Sequence, residues 1–168
     1  MHRLVTPRNL VAVVGLGLLL SATALVAQEG GRPFEVKLTG AAERPNAGDP
    51  DGAGHASLRV NPGQNQVCYE ITASNIEPAT MSHIHRGNKD VAGPIVVDFK
   101  APTTGTVDGC ATPRAGFDLD ELMETPENFY VNVHNAPFKG GAIRGQLAAG
   151  KQDGFPGPKS MKNPFFKD

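Results

Sequence analysis

The sequence predicts an all-β protein, an antiparallel β-sandwich with one short helix, on three observations. Apolar and polar residues alternate strictly in several short segments, as they must when a strand buries one face and successive side chains point to opposite sides. Only one stretch, Asp118 to Met123, carries helical spacing. The 168 residues include 20 Gly and 14 Pro and no Trp, which supplies frequent turns and interrupts long helices.

The elements follow in order. Residues 1–27 open with Arg3 and Arg8 and no acid, then run apolar from Leu10 to Ala27 with small residues at the end, the pattern of a secretory signal peptide. Phe34 to Leu38 alternates as a half-buried strand, and Ala56 to Val60 repeats the pattern. Between them, Arg44-Pro45-Asn46-Ala47-Gly48-Asp49-Pro50-Asp51-Gly52 is a loop by its turn residues. Val67, Tyr69 and Ile71 mark a third strand, Ile95 to Phe99 a more fully buried one, and Thr106 to Cys110 another. The helix carries Leu119, Leu122 and Met123 on one side and acids in its first turn, where the helix dipole favours them. Phe129 to His134 alternates again, and Ala142 to Leu147 closes the sheet with Ile143, Gly145 and Leu147 inward. Short strands at regular spacing suit an antiparallel sandwich. The segment 150–168 is rich in Gly and Pro without a periodic apolar set and is expected to be a disordered tail.

Charge excludes one class of function. With 16 Lys and Arg against 17 Asp and Glu, the chain lacks the basic excess of a nucleic-acid binder. Two of the basic residues and none of the acids lie in 1–27, so the mature chain is mildly acidic. Cleavage of the leader would leave no membrane-spanning segment and a periplasmic or secreted protein; the alternative reading is an uncleaved anchor, since 18 apolar residues just span a bilayer. The two cysteines, Cys68 and Cys110, both fall in the exported part, where oxidation to a disulfide is permitted. The competing reading, a thiolate metal site, needs both sulfurs reduced.

The chemistry concentrates in the histidines. His83-Ile84-His85 places two imidazoles on one face of a strand, and His134 lies on the polar face of its own strand, opposite Phe129, Val131 and Val133. If the two strands are neighbours, the three imidazoles form a donor set suited to a zinc or copper ion, with one position left for another ligand. Met81 shares the face of His83 and offers a thioether, a soft fourth donor that favours reduced copper. His55 follows a turn and reads as solvated or hydrogen-bonded. Ser82 adjoins His83 but faces the opposite way, so the two form no nucleophile and base pair. No hydrolytic constellation or phosphate loop is present in the sequence.

Phe34-Glu35-Val36-Lys37-Leu38-Thr39-Gly40 with Glu43, Asp51-Gly52-Ala53-Gly54, His83-Ile84-His85-Arg86-Gly87, Gly93-Pro94-Ile95-Val96-Val97, Tyr130-Val131-Asn132-Val133-His134 and Gly141-Ala142-Ile143-Arg144-Gly145-Gln146-Leu147 occur in one order. In this order they resemble the chordin-type (CHRD) domain, over about residues 33–148, in its exported single-domain bacterial form. The resemblance implies an immunoglobulin-like sandwich similar to copper-zinc superoxide dismutase, with His83, His85 and His134 resembling three of its copper ligands. Cys68 and Cys110 look like the cysteine pair of the bacterial members. The chain departs from the dismutase in having no bridging histidine and no His- and Asp-rich zinc loop. Asn135 stands where Thr usually follows the histidine in the family. Two readings follow: a protein that binds a copper or zinc ion through three histidines, or a non-catalytic extracellular scaffold or adhesion module that contacts another exported protein, its histidines serving as framework. A metal-dependent enzyme ranks behind both.

Overall fold

The computed structural model describes residues 31–148; the expected signal peptide at 1–27 and the tail at 150–168 lie outside the described residues. Among the described residues, eight antiparallel strands make one continuous sheet: β1 (Arg32–Thr39), β2 (Ala53–Asn61), β3 (Gln66–Ser74), β4 (Ala79–Arg86), β5 (Ile95–Phe99), β6 (Thr106–Ala111), β7 (Phe129–Asn135) and β8 (Ile143–Gln146). Their order across the sheet is β5-β4-β7-β8-β1-β2-β3-β6. The link between β8 and β1 is the single pair Thr39 and Arg144, so the sheet folds there into two four-stranded halves that face each other. At the far side the edges approach again, through a bridge between Val97 and Pro113 and a hydrogen bond from the Lys100 amide to Tyr69 Oη. The result is an all-β sandwich that is nearly closed as a barrel.

The core lies between the halves. Phe34, Val36, Leu38, Leu58, Val60, Val67, Tyr69 and Ile71 come from one side and Ile84, Val97, Phe99, Val131, Val133 and Ile143 from the other, all buried. Burying a Leu, Ile or Phe side chain contributes about 1.5–3 kcal/mol, so this layer dominates the stability. Gly145 is required by the packing: a Cβ there would run into the Lys37 carbonyl and Val36, where β8 crosses close to β1. The one α-helix among the described residues, α1 (Leu119–Glu124), is capped by Asp118, whose side chain accepts from the Asp120 amide. Six residues do not sustain a helix alone. Leu119 and Leu122, both fully buried, fix it to the core.

Cys68 and Cys110 stand opposite each other in the β3–β6 register and are disulfide-bonded. The bond ties the outermost strand of one half to its neighbour across a separation of 42 residues. On a chain-entropy estimate such a loop closure stabilises the fold by roughly 4 kcal/mol, an upper value because residual structure in the unfolded chain reduces it. Among the described residues no helix is long and apolar enough to cross a membrane.

Candidate metal centre

Strand β4 lies between β5 and β7, and its outer face carries Met81, His83 and His85. Register aligns Met81 with His134, His83 with Asn132 and His85 with Tyr130 on β7. Asp98 stands beside His83 on β5, and Arg144 beside Asn132 on β8. One row therefore reads Asp98, His83, Asn132, Arg144 across four strands. This polar face is not solvated: Tyr130, Asn132, His134, His83, His85 and Arg144 are all buried.

Loops cover the face. The β4–β5 loop is pinned over it by Arg144, which donates to the carbonyls of Val91 (2.9 Å) and Asn88 (2.7 Å), and by Tyr130, whose hydroxyl accepts from the Gly93 amide at 3.1 Å. Tyr130 sits on the strand between β4 and β8, so its ring is stacked by His85 from one side, at 4.8 Å between centroids, and by the Arg144 guanidinium from the other, at 3.4 Å. This packing fixes the plane of the His85 ring. The loop after β7 contributes the Lys139 carbonyl, and the segment after β1 contributes Glu43, which is 2% exposed and lies under Gly141.

Each histidine presents one ring nitrogen to a common point, the three atoms lying within 4.8 Å of one another. His85 Nδ1 donates to the Gly93 carbonyl at 2.8 Å, and His134 Nδ1 donates to the Lys139 carbonyl at 2.9 Å. A neutral imidazole has one N–H, so the Nε2 atoms of both rings are bare lone pairs. His85 Nε2 is buried without a hydrogen-bond partner. His134 Nε2 lies 3.2 Å from His83 Nδ1 and 3.1 Å from Asn132 Oδ1. His83 turns its other nitrogen, Nε2, toward the Asp98 carboxylate at 3.7 Å, and Arg114 holds that carboxylate with two hydrogen bonds of 2.7 Å. A proton on His83 Nδ1 would satisfy His134 but would face a bare Nε2 to Asp98. With the proton toward Asp98, acceptors alone converge at the centre, and each buried unsatisfied acceptor costs about 1–3 kcal/mol. A cation resolves that conflict, and the residues present fit one.

Protonation supports the same arrangement. Burial, with the neighbouring His134 and His85 adding to it, pushes His83 down to about 4. Burial also lowers His85 and His134, so all three rings are neutral near pH 7 and their lone pairs are free. The two Arg114 hydrogen bonds hold Asp98 below the usual carboxylate range. Glu43 goes the other way, raised by burial to about 7 despite the attraction of Arg144.

All three histidines named from the sequence thus meet. Met81 stands opposite His134 in the register and is 46% exposed, at the rim of the cluster. His55 lies apart on β2, paired with Glu35 at 3.2 Å. Ser82 points to the core side and donates to the Lys100 carbonyl, away from His83. Sequence reasoning passed over Asn132, Tyr130, Arg144 and Glu43 as site residues. Strand parity marks the first two, which alternate with His134's apolar neighbours, and parity with Ile143 and Gly145 marks Arg144. Glu43 lies beyond the end of a strand and has no periodic signal.

An antiparallel sandwich with three converging imidazoles under its loops defines an all-β protein with a candidate metal centre on one sheet face. The chain belongs to the CHRD domain family, whose model matches residues 34–147. Comparison with curated proteins and with solved structures gave no match.

Proposed function

We propose that this is an exported protein that holds one copper or zinc ion through His83, His85 and His134. The observation that carries the reading is the convergence of three neutral, buried imidazoles whose remaining nitrogens face Gly93, Lys139 and Asp98, because outer hydrogen bonds of this kind orient metal-ligating histidines and raise their basicity. Imidazole is the donor that zinc and copper share. Met81, at the rim beside His134, is the soft donor that would join them for reduced copper. The disulfide supports export, since such bonds persist in oxidising compartments. Storing, delivering or using the ion are the roles open to such a site.

Elemental analysis of the protein purified from its own compartment without chelator tests this. One equivalent of copper or zinc per chain is expected, absent from a His83→Ala, His85→Ala variant. A parent protein that neither carries nor takes up either metal would contradict it and leave the histidines as framework of a scaffold module.

A further inference from the structure

We infer that Asn132 is a fourth donor of the same centre, through its Oδ1, and that Glu43 sets the direction of its carboxamide. The inference rests on the metal reading above and deepens it by naming the ion class the centre selects.

Asn132 occupies the middle of the polar face. His83 is its register partner on β4, Arg144 its register partner on β8, and His134 its neighbour two residues along β7, on the same side of the strand. Its side chain is 1% exposed. A buried carboxamide has two ends to satisfy. The nitrogen end is turned toward the buried Glu43 carboxyl, which leaves Oδ1 facing the histidines, 3.1 Å from His134 Nε2. His134 Nε2 carries no proton, since its N–H lies on Nδ1 toward Lys139. An amide oxygen against a bare imidazole nitrogen is repulsive on its own. Both point where a cation would draw them together. The opposite orientation of the carboxamide would relieve that repulsion but would set Oδ1 against Glu43.

An amide oxygen is a hard, neutral donor. Added to three imidazoles, it gives a set that favours divalent zinc or oxidised copper over reduced copper, which prefers thioether or thiolate. The carboxamide therefore biases the centre toward a divalent ion.

The test uses the full mature chain with Asn132→Leu, Asn132→Asp and His134→Ala, titrated with zinc, with divalent copper and, anaerobically, with cuprous ion. Metal-free circular dichroism reports folding. Asn132→Leu should bind the divalent ions about tenfold or more weakly while cuprous affinity changes little. Asn132→Asp, which places a charged oxygen at the same point, should bind them at least as tightly as the parent and shift the copper electron paramagnetic resonance parameters. Should the Leu variant fail to fold, the Asp variant decides alone, and an unchanged copper spectrum overturns the inference. Parent-like divalent affinity in Asn132→Leu, with binding lost in His134→Ala, overturns it while leaving the three-histidine centre standing. Parent-like binding in His134→Ala instead removes the centre itself.

Discussion

Replacing Glu43 by Gln isolates a buried carboxyl that the fold holds against its preference. Glu43 is buried beneath Gly141, where any Cβ on the glycine would collide with the carboxylate, and burial raises its ionisation from 4.5 to about 7. Between those two values the folded protein binds a proton that the unfolded chain has released, so stability falls as pH rises from 4.5 to 7 and stays lower above. At about 1.36 kcal/mol per pH unit, the loss is on the order of 3 kcal/mol. Gln has the shape of the protonated acid and carries no charge at any pH. With metal removed by chelator, the two proteins should have equal stability near pH 4, and the variant should be more stable by up to about 3 kcal/mol at pH 8, on the order of 10 °C in Tm. Urea unfolding of both at pH 4, 6 and 8 measures this, and the histidine contributions cancel in the difference. A gap that does not change with pH, or a variant less stable at pH 8, would refute the reasoning.

Further predictions follow from the same contacts. In metal-free protein the three histidines are depressed by burial, so the unfolded chain binds more protons below pH 6.5; their contribution should be complete above 6.5 and lost as pH falls toward 4, whereas metal affinity of the folded protein should hold well below pH 6.5 and fall only as pH nears the value of about 4 at His83, as read by unfolding and titration in the Glu43→Gln background. Cys68→Ser with Cys110→Ser should lower the unfolding free energy by up to roughly 4 kcal/mol while leaving zinc affinity within about twofold, because the bond joins β3 to β6 and neither strand carries one of the three histidines. Gly145→Ala should destabilise by more than about 1 kcal/mol in thermal unfolding, since its Cβ has no room against Lys37. Met81→Leu should weaken cuprous binding and spare zinc, measured by competition titration.

The strands legible in the sequence are those that bury one face. Phe34 to Leu38 and Phe129 to Val133 announce themselves because apolar residues recur at every second position. β4 did not show its full length, because Ser82, His83, Ile84 and His85 are all buried and polar residues on both faces erase the alternation. β2 begins three residues earlier than its apolar pattern, since Ala53, Gly54 and His55 pair with β3 but carry no hydrophobic signal. The histidine triad was visible from parity alone, given that β4 and β7 are neighbours. Its surroundings were not. The Arg144–Tyr130–His85 stack, the Gly93 and Lys139 carbonyls and the buried Glu43 depend on loops folding over the sheet, and no local pattern specifies where a loop comes to rest. Burial of the polar face likewise belongs to tertiary structure. A strand reading Tyr130, Asn132, His134 on one side looks solvated until the β4–β5 loop is placed above it.

The central claim is that three imidazoles hold one ion, and titration calorimetry of the chelator-stripped protein at pH 7.5 with zinc and with divalent copper tests it most directly. The account predicts saturation at one ion per chain, with tight binding abolished in His134→Ala and retained in His55→Ala. Equal affinity in the parent and His134→Ala, or no heat of binding in the parent, would contradict it.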